Sequence, residues 1–239
     1  MTRTELIYME DCYTKEFDAE VTKKGENFVV LDKTSFYPEG GGQPSDKGKL
    51  ISDGEEYEVT GVKKHKGEVR HIIKGEVPEE NEKVQGKIDW ERRHKLMRMH
   101  TAQHLVAAIV LYKYDATVSG NQIHLENSRI DFNPVNFSEE DLEGIQERAN
   151  QLIEKGRPVE IYQMSREKVE EKMDPERVNL DLIPESVDPL RIVEIEELDI
   201  CPCGGTHVKN LEEIKGIDII ERETKGKNTD RLTFELKEA

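Results

Sequence analysis

Turn dipeptides punctuate the first third of this chain: Lys24-Gly25, Asp53-Gly54, Lys66-Gly67 and Lys74-Gly75. Around them run short stretches rich in β-branched and apolar residues, such as EVTKKGENFVVLD and EYEVTGVKKHKGEVRHIIK. A glycine closing such a pair supplies the positive φ that a tight hairpin needs. From Asp53 on, the turns recur every 8–13 residues and leave no room for long helices. Short strands in that rhythm escape exposed edges by closing on themselves. Residues 1–85 are therefore predicted to form a small closed or nearly closed β-barrel. One segment breaks the rhythm, TSFYPEGGGQPSDKG, which mixes aromatics with three consecutive glycines. Bare glycine backbone can approach a ligand closely and offer N–H groups to phosphate or sugar oxygens. It is no P-loop, because Gln43-Pro44 and not Lys-Ser/Thr follows the glycines.

The polar stretch PEENEKVQG at 78–86 places a boundary between a domain of residues 1–85 and one of residues 86–239. Beyond it Asp89 is predicted to cap a helix from about Trp90 to Tyr112, with an inward stripe of Leu96, Met99 or His100, Gln103 or His104, Ala107 and Leu111. HLENSRIDFNP reads as a strand ending at Pro134, and His124 as a strand-surface residue. SEEDLEGIQERANQLIEKGRP reads as a helix capped by Ser138 with Asp141 and stopped by Gly156. VEIYQMS and LRIVEIEELDI are predicted strands around a short helix that Ser165 caps, and the tail forms a hairpin turning at 226–228. Helices and antiparallel strands without a βαβ rhythm make the fold class α+β.

Composition removes several function classes. No apolar run approaches the ~20 residues that cross a bilayer, and MTRTELIYMEDCY has no basic-then-apolar leader. Three cysteines, an odd number, do not make a disulfide scaffold. The expectation is a cytoplasmic protein with neither membrane nor DNA as partner. Its net charge of −16 opposes unselective binding to nucleic acid but leaves room for local basic surface. Two stretches offer it: KKHKGEVRHIIK at 63–74, which can equally be a solvated face, and ERRHKLMR at 91–98 with Arg92, Arg93, Lys95 and Arg98.

The second basic stretch leads into the sharpest constellation. In HTAQH, His100 and His104 stand four apart, so a helix puts both on one face. In CGGTH, Cys203 and His207 are also four apart, with glycines between. Three nitrogens and one sulfur suit a single tetrahedral Zn²⁺. Cys201 is a competing thiol, but only Cys203 has the spacing to His207; Cys201 is then a packed side chain. A metalloprotease is excluded, because Thr101 stands where H-E-x-x-H needs its glutamate. No carboxylate adjoins either ligand pair in the sequence, so no general base is named.

Taken in order, DKTSFYPEGGGQ, RMHTAQH, SRIDF and CGGTHV resemble the AlaX proteins, free-standing relatives of the editing domain of alanyl-tRNA synthetase. The glycine loop with its Gln marks the medium-length type, and the resemblance runs from about residue 5 to the end. It implies a translation-factor-like β-barrel, then an α+β editing domain like that shared with threonyl-tRNA synthetases. It implies hydrolysis of mischarged tRNA(Ala) in trans, chiefly of its seryl and in some members its glycyl ester, since the chain has no room for an aminoacylation domain. By motif, His100, His104, Cys203 and His207 would bind zinc, with Thr34, His100 and His104 at the catalytic centre and Thr34 reading the serine hydroxyl. Gly41, Gly42 and Gln43, with Arg92, Arg93 and Arg98, would face the tRNA. The alternatives are editing of seryl-tRNA(Thr), or a non-catalytic RNA-binding module with a structural zinc.

Overall fold

The computed structural model describes residues 4–173, 180 and 183–237, which pack as two compact units, Met1–Leu96 and Met97–Ala239. The first holds β1 (Glu5–Leu6), β2 (Glu16–Lys24), β3 (Phe28–Leu31), β4 (Lys33–Thr34), β5 (Gly48–Ser52), β6 (Glu55–His65), β7 (Glu68–Lys74) and β8 (Lys83–Ile88). Six of them form a closed barrel in the order β2-β3-β7-β6-β5-β8, as the turn rhythm predicts. Both central residues of two hairpin turns have positive φ: Asp53 46° with Gly54 86°, and Lys66 49° with Gly67 82°. That is the turn whose twist matches paired strands. Val21, Val29, Leu31, Phe36, Leu50 and Val62 fill the interior with no exposure at all. The barrel closes only when β8 pairs with both β2 and β5, so a boundary at 85/86 would cut its last strand.

Helix α1 (Trp90–Tyr114) starts in this unit, where Asp89 accepts the Arg92 N–H at 3.1 Å as its cap. Arg93 is wholly buried. Its guanidinium pairs with the equally buried Asp46 through Nε (3.0 and 2.9 Å) and Nη2. It also donates to the carbonyls of Cys12 (3.0 Å) and Ser35 (2.6 Å), while Asp46 accepts the Tyr37 N–H at 2.6 Å. One side chain therefore fixes the loop that follows β4.

The second unit adds β9 (Thr117–Gln122), β10 (Ser128–Asn133), α2 (Glu139–Lys155), β11 (Val159–Met164), α3 (Arg166–Lys172), β12 (Leu190–Ile195), β13 (Asp199–Pro202), β14 (Ile217–Gly226) and β15 (Thr229–Leu236). An antiparallel sheet β14-β15-β10-β9 and a sheet β11-β12-β13 make it α+β. Ser138 and Asp141 form the expected capping box on α2. Three local expectations fail. Every residue of α1 from Met99 to Val110 is buried, so the helix has no solvent face there and no single inward stripe. Ser165 gives α3 no side-chain cap; Asp188 accepts the Arg166 N–H instead. His124 is exposed in the connection between β9 and β10, not on a strand. Among the described residues no helix is long and apolar enough to cross a membrane.

Removing one partner of a buried pair strands the other charge, at a cost of about 3–5 kcal/mol. Asp46→Ala should therefore destabilise the first unit by that amount in urea titrations followed by Trp90, the single tryptophan. Replacing both partners, Asp46→Leu with Arg93→Met, should recover most of the loss.

Candidate metal centre

The helical spacing does what it predicts: the rings of His100 and His104 lie 5.2 Å apart on one face of α1. The other pair arrives on β13, which ends at Pro202 and delivers Cys203; the Cys203 N–H donates to the Arg191 carbonyl at 3.0 Å. The Arg191 guanidinium donates to the Cys203 carbonyl at 2.6 Å, locking the start of the Cys-Gly-Gly segment. The ligand atoms of His100, His104, Cys203 and His207 all lie within 4.8 Å of one another.

Hydrogen bonds settle which nitrogens face inward. Thr101 donates its only hydroxyl proton to the Met97 carbonyl at 2.9 Å. Its oxygen must then accept from His207 Nδ1 at 3.1 Å, which leaves His207 Nε2 bare. His104 Nδ1 donates to Asp199 Oδ2 at 3.2 Å, which turns Nε2 toward the cluster. Cys203 Sγ lies 3.3 Å from His207 Nε2 and 3.6 Å from His100 Nε2. Zinc bonds of about 2.3 Å to sulfur and 2.0–2.1 Å to nitrogen, at a tetrahedral angle, separate S and N by about 3.6 Å. The donor set fits one such ion in type, number and spacing.

The electrostatics favour a thiolate and a neutral His207, while His104 is held protonated and would have to release a proton to a metal. Burial alone would push the Cys203 thiol up, but the imidazoles of His100 and His207 hold it well below its usual range. The Gly205 N–H adds a contact to the sulfur at 3.4 Å. Burial works against charge on His104, yet the Asp199 hydrogen bond and Cys203 raise it to about 9. Burial and His100 push His207 well below its ordinary value.

Asp199 is the residue that sequence reasoning missed. It belongs to neither motif and reaches His104 only because β13 runs past the helix. Its one signal in the sequence is its place four residues before Cys203. Cys201 stays outside the cluster, its thiol directed at the Pro202 carbonyl at 3.6 Å.

The other candidates belong to the first unit or to the start of the helix. Thr34 is fully buried. Its hydroxyl meets His71 Nε2 at 2.8 Å and accepts the Phe36 N–H at 3.1 Å. His71 Nδ1 faces the Val29 carbonyl at 3.4 Å, and a carbonyl can only accept. Nε2 is therefore the acceptor and Thr34 the donor. The glycine loop turns at Gly41 (φ 58°) and Gly42 (φ 81°), a left-handed pair that side chains resist, and both glycines are exposed. Gln43 is not: it is 1% exposed, and its backbone pairs with Gly40. Arg93 is likewise closed off by Asp46, so neither side chain can meet a phosphate from solution. A guanidinium buried this deeply needs the carboxylate it holds. Arg92 is half-buried and donates to the Ser45 carbonyl at 3.0 Å; Arg98 is half-buried and donates to Ile214 at 2.8 Å.

Two family models match the chain: tRNA synthetases class II (A) over residues 3–92, and the threonyl and alanyl tRNA synthetase second additional domain over residues 190–233. The alanyl-tRNA editing protein AlaX-M of Methanosarcina barkeri is 45% identical over 98% of this chain and 99% of its own length. The chain belongs to the AlaX family, in its medium-length type. AlaX-L of Pyrococcus horikoshii is 37% identical, with 96% of this chain matching 57% of that protein. The alanine–tRNA ligase of Pyrococcus furiosus is 36% identical, with 99% of this chain matching 26% of it. The AlaX chain is thus similar to about a quarter of a much larger ligase.

Two predictions follow from the buried imidazoles. A metal held by this cluster should be lost from purified Cys203→Ala and kept by Cys201→Ala, and Asp199→Asn should weaken its retention about 10–100-fold against a competing chelator. Burial holds His71 at about 4, down from 6.5. The unfolded chain takes up a proton near pH 6.5 that the folded barrel refuses until near pH 4. Stability from this group is thus present above pH 6.5 and falls by about 3 kcal/mol as the pH drops through that window. His71→Gln should flatten that fall in urea titrations at pH 7 and 4.5.

Proposed function

We propose that the protein corrects mischarged tRNA(Ala) in trans, hydrolysing the ester that links serine, and secondarily glycine, to the tRNA in a zinc-containing site. As a member of an editing family it is an aminoacyl-tRNA hydrolase. The observation that carries the reading is the cluster of three imidazoles and one thiolate, its tautomers set by Thr101 and Asp199, in a chain that aligns end to end with alanyl-tRNA editing proteins.

His100, His104, Cys203 and His207 would hold the ion, and Zn²⁺ bound there would supply Lewis acidity beside an ester that is already activated. Asp199 holds His104 in place and is not assigned as a base. Thr34 gives its proton to His71 and accepts from Phe36, so its remaining lone pair can only accept. Thr34 has no exposed surface, so a serine hydroxyl would meet that lone pair only inside the protein, where an alanyl methyl could make no such bond. In a site without water, that missing contact costs about 1–3 kcal/mol. This complements a synthetase pocket, which cannot strongly reject a substrate that merely adds a hydroxyl. The exposed Gly41-Gly42 backbone, Arg92 and Arg98 are the proposed contacts to tRNA. A cytoplasmic location follows from that substrate.

One observation favours a rival. Four protein ligands complete a tetrahedral shell, the pattern of structural zinc, which suits a non-catalytic RNA-binding module. Incubation with seryl-tRNA(Ala), glycyl-tRNA(Ala), alanyl-tRNA(Ala) and seryl-tRNA(Thr) separates the readings. The expected outcome is rapid loss of serine from tRNA(Ala), slower loss of glycine, and little change in the other two. Release at the buffer rate throughout would support the rival. Thr34→Val should cut the serine-over-alanine preference about tenfold, the order set by one lost buried hydrogen bond.

A further inference from the structure

The outer surface of the barrel carries a row of cations that the metal centre does not use. Cross-strand registers place Lys23 opposite Val30, Val30 opposite Arg70, and Arg70 opposite Lys63. Residues directly opposite share a face, so Lys23, Arg70 and Lys63 share the outer one across β2, β3, β7 and β6; the buried Val29, His71 and Val62 lie on the inner. Adjacent strands are about 4.8 Å apart, so the row spans roughly 14 Å. It continues to the end of β6 and into the β6–β7 turn, where Lys63, Lys64, His65 and Lys66 are four exposed residues in sequence. Glu68 is the carboxylate set among these five cations; it bridges Lys23 at 2.5 Å and Arg70 at 2.8 Å. Lys63 and Lys66 have no ion-pair partner among the described residues. Such a surface is conspicuous on a chain of net charge −16.

The glycine loop joins it. The Glu39 N–H donates to the Val62 carbonyl at 3.0 Å, immediately before Lys63, so the exposed Gly40-Gly41-Gly42 tip is fastened beside the row. On the loop's other side Arg92 donates to the Ser45 carbonyl. The exposed Gly41-Gly42 backbone thus lies in a loop tied to β6 at Glu39 and touched by the Arg92 guanidinium at Ser45.

We propose that the β6–β7 hairpin, through Lys63, Lys64 and Lys66 with the glycine tip beside them, binds the sugar–phosphate backbone of the substrate RNA. This rests on the reading that the substrate is a tRNA, and it supplies the contact surface that the buried Arg93 cannot. Ammonium groups on long stems suit phosphates without reading bases, so the surface would give affinity and orientation but no sequence preference.

The test is binding of uncharged tRNA(Ala) to the full zinc-loaded chain across a salt series. Each phosphate contact contributes about 0.7–0.9 to the slope of log K against log salt. The variant Lys63→Gln, Lys64→Gln, Lys66→Gln should lower that slope by about 2 and bind at least tenfold more weakly at low salt, with an unchanged melting curve. The control Lys225→Gln, Lys227→Gln, on the β14–β15 turn, should leave both untouched. An unchanged slope in the hairpin variant overturns the proposal. So does absence of tRNA binding by the parent chain, or hairpin-dependent binding to vesicles of anionic lipid in place of tRNA. Because uncharged tRNA is used, failure of the ester to hydrolyse would sink the proposed activity without touching this result.

Discussion

A polar group sealed away from water must find its partner inside the protein, and α1 seals away several. From Met99 to Val110 it has no exposed face, yet it carries two histidines, a threonine and a glutamine there, and an arginine one turn after its start. Satisfying the arginine, the threonine and His104 organises both units, whereas the buried Gln103 Oε1 has no hydrogen-bond partner among the described residues. Arg93 collects Asp46 and two carbonyls, which fixes the loop after β4. Thr101 collects the Met97 carbonyl, the Val208 N–H and His207, which brings the Cys-Gly-Gly-Thr-His segment to the helix. His104 collects Asp199, which brings β13. His104 and His207 therefore meet in the cluster because the groups behind them are already paired.

The same rule shapes the barrel. His71 sits in an apolar interior against Phe36, and its burial keeps it neutral. A neutral imidazole has one donor and one acceptor, and Val29 takes the first. The direction of the Thr34 hydroxyl proton is then no longer free. What looks like a packed core histidine sets the hydrogen-bond polarity of a candidate specificity residue.

Much of the fold was legible in the residues. Asp53-Gly54 and Lys66-Gly67 marked two hairpins, because glycine and a tolerant neighbour at positive φ admit few alternatives. Ser138 with Asp141 marked the start of α2, and the two x-x-x spacings picked out the four residues of the cluster that could hold a metal. The stripe on α1 was misread because periodicity assumes one wet face, and this helix has none over most of its length. Arg93 and Gln43 look like surface residues in a basic stretch and a glycine loop. The burial of Arg93 depends on Asp46, 47 residues away, and no local pattern encodes that partner. Asp199 stands in a strand sequence with nothing to distinguish it from the other acids of an acidic chain.

By itself the sequence determined what short-range chemistry determines: which segments turn, which residues can ligate, and which family the chain resembles. These follow from backbone sterics and donor type, which act over a few residues. Only the tertiary structure decided which nitrogen of each imidazole faces the cluster, which thiol joins it, and which arginine is spent on the interior. Only cross-strand register put Lys23, Arg70 and Lys63 in one row, although about forty residues separate the first from the others. Burial and pairing are properties of a whole packed unit. A residue's neighbours in sequence do not fix them.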